Sequence, residues 1–205
     1  MPATGTCAKL STLFVTADEK ANEKTTGLIE LLDVGRVEVA SSGVPRAALE
    51  PRELPNLGDF IRGTFYALSN TNVTPGARYD VTVGGSNDFS ALSISAFAPQ
   101  ELSDVAFDGV VATDSSITLT NQRMLRITWT PDAPSDLLYV DSTSNALHET
   151  TRCVFADTGL AQIPQPSGDH GQIEVHRLRR HFISTPMATE LRFDFYRSFA
   201  FQREP

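Results

Sequence analysis

The densest group of side chains that could do chemistry lies in one short segment near the C-terminus. Two histidines and three arginines occur within six residues there: His176, Arg177, Arg179, Arg180 and His181. Guanidinium groups bind phosphate, sulfate and carboxylate through paired hydrogen bonds, so the segment suggests a site for an anion, a glycan or another small ligand. Successive side chains of a strand point to opposite faces, so only some of these groups could meet one ligand. The alternative is a solvated edge strand whose charges prevent pairing with other sheets.

Other polar motifs predict neither catalysis nor a metal site. The segment from His148 resembles the zinc-protease helix motif, but Arg152 stands where the second histidine ligand is required. Three acidic pairs occur in predicted turns: Asp104 with Asp108, Asp132 with Asp136, and Asp80 with Asp88. Their spacing does not match a calcium-binding loop and is typical of turns. With no nucleophile elbow, phosphate loop or dinucleotide fingerprint, we expect no catalytic residue, no metal and no cofactor.

The only two cysteines, Cys7 and Cys153, lie far apart in the chain. A disulfide between them would close most of the chain into one loop, which the chain-entropy model makes worth about 5 kcal/mol. The alternative is two unrelated thiols, with Cys153 buried in a strand and Cys7 in a mobile tail. One pair of cysteines does not decide the cellular compartment.

Charge and hydropathy exclude several classes of partner. The chain has 25 acidic and 17 basic residues and a formal net charge of −8, so it has no overall attraction to nucleic acid or anionic membranes. No apolar run approaches the about 20 residues that a transmembrane helix needs. The first seven residues also lack the basic and apolar regions of a signal peptide. The protein is therefore either cytoplasmic or exported with a signal that this sequence does not contain.

The last fifteen residues show the clearest structural pattern. Apolar residues occupy odd positions there: Leu191, Phe193, Phe195, Phe199 and Phe201. Alternation with period two predicts a strand with one buried face. Arg197 interrupts the series, and we expect a bulge or a bend at that point. Phe193 and Phe195 would then pack against Trp129, and Phe199 and Phe201 would reach the N-terminal half of the chain.

Short strand-like runs separated by Gly, Pro, Asn and Asp recur from residue 34 onward, about a dozen in all. Residues 1–30 are polar and irregular. A capping-box spacing at Thr16–Glu19 could begin two helical turns over Ala17–Lys24, or the segment could be a solvated loop. The pattern predicts an all-β fold, an antiparallel β-sandwich with little helix. Such sandwiches can carry glycan sites built from surface aromatics, and the four tyrosines are candidates: Tyr66, Tyr79, Tyr139 and Tyr196.

The segment Leu125–Pro131 places Leu125, Ile127 and Trp129 on one face and ends in Trp-Thr-Pro. With the polar turn and the apolar run that follow, it resembles the second and third strands of a fibronectin-III or immunoglobulin-like domain, in which the tryptophan packs across the core. We therefore expect a polar N-terminal segment over 1–30, an N-terminal β half over 31–98 and an immunoglobulin-like sandwich over 99–205. The two halves form either separate domains or one continuous domain.

A series of short motifs runs in order through the second half of the chain: Tyr79–Gly85, Ala98–Pro99, Leu125–Pro131, Cys153–Gly159, Val175–Arg180 and Arg192–Phe195. This order resembles a loosely defined group of secreted or lipid-anchored β-sandwich proteins of myxobacteria and their relatives. The group has no agreed activity, so the resemblance implies a location and no catalytic role. That location is outside the cytoplasm, in the periplasm, on the outer surface or in the medium.

These observations favour a non-enzymatic, extracytoplasmic β-sandwich that serves as a surface, adhesive or assembly module, with protein or glycan partners at the cell surface. The alternative is a module that binds a small ligand, a glycan or an anion through the Arg177–Arg180 region. An enzyme whose residues come from distant strands is a third hypothesis. We expect no nucleic-acid partner and no transmembrane segment, and the oligomeric state stays open.

Overall fold

The computed structural model describes residues 1–10, 29–31, 33–42, 44–54, 61–67, 72–87, 89–120, 122–146, 149–183 and 189–204. Strands predominate among these residues, and helix is almost absent from them. The predicted all-β fold is therefore confirmed. The capping box at Thr16–Glu19, the helical turns over Ala17–Lys24, Asp88 and His148 lie outside the described residues.

Seventeen strands occur within the described residues, numbered in chain order. They are β1 (Thr6–Lys9), β2 (Ile29–Leu31), β3 (Val37–Ser41), β4 (Val44–Ala48), β5 (Glu50–Leu54), β6 (Ile61–Ala67), β7 (Arg78–Val83), β8 (Leu92–Phe97), β9 (Ala106–Phe107), β10 (Val110–Val111), β11 (Ser116–Leu119), β12 (Met124–Thr128), β13 (Leu137–Ser144), β14 (Glu149–Ala156), β15 (Leu160–Pro164), β16 (His170–Ile183) and β17 (Thr189–Arg203).

The chain divides into two compact units. Unit 1 comprises Met1–Asn22, Pro99–Arg180 and Arg192–Pro205, and unit 2 comprises Glu23–Ala98 and His181–Leu191. Both units are discontinuous in sequence, because the long strands β16 and β17 supply residues to each. Unit 1 thus joins residues of the expected N-terminal segment with residues of the expected C-terminal half.

Unit 1 is a sandwich of two sheets. One sheet has the strand order β1-β14-β13-β16-β17-β11, and the other has the order β10-β9-β12-β15. Neighbouring strands are antiparallel in the registers that the structure defines, except that β11 runs parallel to the end of β17. Alternate residues of both sheets meet in one apolar core, which includes Leu125, Ile127, Trp129, Leu138, Val140, Ile163, Ile173, Val175, Phe199 and Phe201.

Strand β17 runs without interruption through Arg197. The odd-numbered residues keep the inner face, with Phe199 and Phe201 almost fully buried. The Phe199 ring meets the edge of Phe107 at a centroid distance of 5.1 Å, and the Arg197 guanidinium lies 5.3 Å from the Phe199 centroid. The expectation that Phe199 and Phe201 reach the N-terminal half is therefore wrong. They share the core of unit 1 with Trp129, because the alternating register continues past Arg197.

Two strands occur where the sequence predicts irregular structure. Strand β1 lies within the N-terminal segment that was expected to be irregular, where its residues show no apolar alternation. Strand β5 contains Pro51, a residue that cannot donate a ladder hydrogen bond and is typical of loops. It is an edge strand of its three-stranded sheet, a position at which the missing N–H of a proline costs no ladder hydrogen bond.

Unit 2 contains two sheets, with the orders β2-β6-β5 and β4-β3-β7-β8. Val37, Tyr79 and Ile94 are among its buried side chains. The turn before β3 requires glycine at position 35, where φ is +74° and a Cβ atom would lie 2.1 Å from the carbonyl oxygen of Gly85.

A disulfide joins Cys7 of β1 to Cys153 of β14. The two residues are direct cross-strand partners in the antiparallel pair, so the bond fastens an edge strand of only four residues to the sheet. Cys153 is buried in the core of unit 1, whereas Cys7 lies at the exposed edge.

We expect Cys7→Ser to lower the free energy of unfolding by up to about 5 kcal/mol, because the bond closes a loop with a sequence separation of 146. Urea denaturation of oxidised protein measures the effect. A reducing agent should bring the wild type to the stability of the variant and leave the variant unchanged. Equal unfolding midpoints for oxidised and reduced wild type would contradict the prediction.

Candidate functional site

Arg177 of the predicted anion cluster is buried inside unit 1. Its side chain is 1% exposed, and its Nε lies 2.9 Å from a carboxylate oxygen of Asp157, which is equally buried. The terminal nitrogens donate to the backbone carbonyls of Gln100, Glu101 and Thr130 at 2.5–3.1 Å. Arg177 therefore binds the chain itself and lies on the core face of β16.

Asp157 completes a buried network around this arginine. One carboxylate oxygen accepts a hydrogen bond of 2.5 Å from Nε1 of Trp129, and the other accepts one of 3.0 Å from the backbone N–H of Asp132. The indole thus has a polar partner inside the core, as buried tryptophans usually require. The network links β16, the end of β12 and the loop after β14.

Arg179 lies on the same side of β16 and holds the β12–β13 loop. Its Nε and one terminal nitrogen donate to both carboxylate oxygens of Asp136 at 2.8 and 2.7 Å. The same terminal nitrogen contacts Asp132 at 2.8 Å. The hydrogen bonds to Asp136 raise the pKa of Arg179. Asp132 and Asp136, the acidic pair predicted in this turn, therefore both bind Arg179.

The outer face of the six-stranded sheet carries a stack of three rings. Tyr139 and His176 are cross-strand partners on β13 and β16, and their rings are nearly parallel with centroids 4.2 Å apart. Tyr196 of β17 stacks on the other side of His176 at 5.2 Å and is 62% exposed. The stack runs across three neighbouring strands.

Asp194 of β17 fixes the two inner rings of this stack. It accepts a hydrogen bond of 2.5 Å from the Tyr139 hydroxyl and one of 3.0 Å from Nδ1 of His176. Burial alone would raise the pKa of Asp194, but the hydrogen bonds from His176 and Tyr139 outweigh burial and lower it. Burial and the hydrogen bond to Asp194 raise the pKa of Tyr139, so its hydroxyl stays a donor.

Arg152 of β14 covers the opposite face of Tyr139. Its guanidinium carbon lies 4.4 Å from the centroid of the Tyr139 ring. Two of its nitrogens donate to both oxygens of Asp141, its cross-strand partner, at 2.7 and 2.6 Å. These bonds raise the pKa of Arg152 and hold its guanidinium against the Tyr139 ring.

A cleft of about 370 Å³ opens beside this stack, within unit 1. Three guanidinium groups from three strands line it, those of Arg152, Arg180 and Arg192, together with Tyr139 and Asp194. Arg180 and Arg192 are exposed. Three arginines and one aspartate therefore line this cleft, on a chain whose net charge is −8.

The five residues of the predicted cluster thus have separate positions. Arg177 and Arg179 bind carboxylates on the inner side of β16, while His176 and Arg180 lie on its outer face, and His181 belongs to unit 2. The sequence did not single out Arg152, Arg192 or Asp194. The alternation in β17 predicts that Arg192 and Asp194 lie on its solvent-exposed face. The sequence does not reveal which strands are the neighbours of β17.

One group of His, Asp and Glu side chains in the described part of the chain has the arrangement of metal ligands. Donor atoms of Asp141, Glu174 and His176 lie within 4.8 Å of one another on the outer face of the sheet.

No protein-family model matches the chain, and no curated protein sequence matches it significantly. Among the described residues, no helix has the length and apolar character that a bilayer crossing requires. Arguments about function therefore rest on the residues of unit 1.

We expect Arg177→Met to destabilise the protein by about 3–5 kcal/mol, because it leaves Asp157 charged and buried without its cation. The double variant Arg177→Met with Asp157→Asn should recover part of this loss. Arg126→Met, at an exposed arginine of β12, is the matched control and should change stability by less than about 0.5 kcal/mol. Urea denaturation measures all three, and a wild-type stability for Arg177→Met would refute the prediction.

The Asp194 carboxylate should contribute fully to stability above its ordinary pKa of 3.8 and progressively less below it. Because its pKa in the folded state lies below 3.8, its contribution is present above that pH and is lost as the pH falls through the lowered folded value. We expect Asp194→Asn to be less stable than the wild type near neutral pH, with a difference that shrinks in acid. Asp114→Asn, in an exposed loop, is the control. A difference independent of pH would contradict this assignment.

Proposed function

We propose that this chain is a non-enzymatic, extracytoplasmic binding module that takes the anionic group of a small ligand or glycan into the cleft beside Tyr139. The observation that carries the proposal is the convergence of Arg152, Arg180 and Arg192 on that cleft. The geometry favours the binding hypothesis at a different position from the predicted one, because Arg177 and Arg179 lie on the inner side of β16, whereas Arg180 and Arg192 are exposed at the cleft.

The chemistry of the cleft suits carboxylate, sulfate or phosphate groups. Arginine presents several donors in a planar fork, and hydrogen bonds between charged partners are the strongest that a surface site offers. The volume of about 370 Å³ lies in the range of small-molecule sites and matches a ligand the size of a sugar. The acidic surface elsewhere repels anions, so binding would be confined to this cleft.

His176 and Asp194 form a histidine–carboxylate pair, which could indicate acid–base catalysis. However, Nδ1 of His176 is engaged by Asp194, and Nε2 has almost no accessible surface. A general base must come within hydrogen-bond distance of the proton that it removes. A nitrogen enclosed in this way does not reach a ligand in the cleft, so we favour binding over catalysis.

Two observations support a location outside the cytoplasm. The Cys7–Cys153 disulfide is of a kind that persists in oxidising compartments. The order of motifs from residue 79 to residue 203 resembles the secreted and lipid-anchored sandwiches of myxobacteria, and we retain membership of that group as a proposal.

A role in assembly is the second candidate. Strand β10 is an edge of the four-stranded sheet, and its two residues, Val110 and Val111, are 74% and 54% exposed. Exposed apolar residues on a sheet edge favour pairing with another strand. Sedimentation at increasing protein concentration, with Val110→Lys as the comparison, separates this role from ligand binding.

Titration with sodium sulfate, glucuronate and glucose at low ionic strength tests the binding proposal, with NMR chemical shifts or calorimetry as the readout. We expect the two anions to bind and glucose to bind much more weakly. Arg192→Met should weaken anion binding at least about tenfold, since a hydrogen bond between charged groups contributes about 1.5–3 kcal/mol.

Arg126→Met removes an exposed arginine from the other sheet of unit 1 and should leave anion affinity unchanged. Thermal melts of both variants verify that they are folded. If Arg126→Met and Arg192→Met lose affinity equally, anions bind through general surface charge, and the cleft is not the site.

A further inference from the structure

The register of two strands, β13 and β16, brings Asp141, Glu174 and His176 together. Asp141 of β13 lies directly opposite Glu174 of β16, and His176 follows two positions later on the same face as Glu174. A donor atom of each lies within 4.8 Å of a donor atom of the other two. Like charges directly opposite each other on neighbouring strands are unfavourable. Arg152 compensates the charge of Asp141, and a cation among the three donor atoms would compensate both carboxylates.

The orientation of His176 presents one nitrogen to these carboxylates. In the neutral tautomer that donates from Nδ1 to Asp194, the lone pair lies on Nε2. Nε2 has almost no accessible surface and no hydrogen-bond partner among the described residues, and it lies 3.8 Å from Oε2 of Glu174. A buried nitrogen lone pair without a donor needs a proton or a metal ion as its partner.

The supporting contacts are those of a histidine metal ligand. Such histidines usually bind a carboxylate through the other ring nitrogen, as His176 does with Asp194. Asp194 is itself held by the Tyr139 hydroxyl, and the two tyrosine rings on either side fix the plane of the imidazole. The ring is therefore preorganised with Nε2 toward Glu174.

The two carboxylates are also oriented by their neighbours. Arg152 holds Asp141, whose oxygens retain lone pairs for a second contact. Gln172 donates to Oε1 of Glu174 at 3.1 Å, and Oε2 of Glu174 faces the histidine. Ligand atoms around tetrahedral zinc lie about 3.4 Å apart. The 3.8 Å between Nε2 of His176 and Oε2 of Glu174 is close to that spacing, and the whole set, whose donor atoms lie within 4.8 Å of one another, must contract to bind the ion.

We propose that Asp141, Glu174 and His176 form a binding site for one divalent transition-metal ion, and that Zn²⁺ is the ion that the ligands fit best. One imidazole nitrogen with two carboxylates is a borderline donor set that suits zinc, whereas calcium and magnesium prefer oxygen alone. Three protein ligands leave a fourth tetrahedral position for water or an anion.

Titration of the metal-free, untagged, oxidised protein with Zn²⁺ tests the proposal by calorimetry, and Co²⁺ supplies a visible absorption spectrum as a second probe. Thiols do not compete, because both cysteines are in the disulfide. We expect one ion per chain. Glu174→Gln and His176→Gln should each weaken zinc binding at least about tenfold, and each should alter the Co²⁺ spectrum.

His170→Gln is the matched control, since His170 is an exposed histidine at the start of the same strand and should leave zinc affinity unchanged. Glu174 is a partly exposed surface residue, so its variant tests the site even if His176→Gln fails to fold. The proposal is overturned if the wild type binds no zinc, or if Glu174→Gln and His170→Gln bind it as tightly as the wild type.

The metal site and the anion cleft are independent in this test. Arg192→Met should leave zinc affinity unchanged while it weakens sulfate binding, and Glu174→Gln should do the reverse. If the wild type binds only one of the two ligands, the proposal for the other ligand fails.

Discussion

The buried ion pair between Arg177 and Asp157 is the interaction on which unit 1 depends. A guanidinium 1% exposed is tolerated only because a carboxylate and three backbone carbonyls surround it. The same carboxylate binds the indole of Trp129 and the backbone of Asp132. Each partner would leave a buried polar group unpaired if it moved, so the loop after β14, the end of β12 and β16 are fixed relative to one another.

This use of Arg177 determines what the rest of its strand can do. Because successive side chains alternate, β16 commits Ile173, Val175 and Arg177 to the core and leaves Glu174, His176 and Arg180 on the outer face. The inner residues make the strand rigid. The outer residues gain a fixed platform, on which Asp194 and Tyr139 orient the imidazole of His176. The packing of the inner residues therefore fixes the positions of the side chains on the outer face.

The outer face separates its charges into two neighbouring groups. Arg180 and Arg192 line the cleft, whereas Asp141 and Glu174 face Nε2 of His176, and Arg152 and Asp194 contact both regions. An anion and a divalent cation would therefore occupy different positions on one sheet.

The sequence by itself determined the fold class and the faces of the strands. Period-two alternation is local, so the wet side of β17 and the apolar side of β12 could be predicted, and so could the burial of Trp129. The partners of Arg177 and Arg179, the strand formed around Cys7 and the meeting of His176 with Asp194 were decided by the tertiary structure. Strand order and register depend on contacts between residues far apart in the chain, and neither the period nor the composition of a segment specifies them.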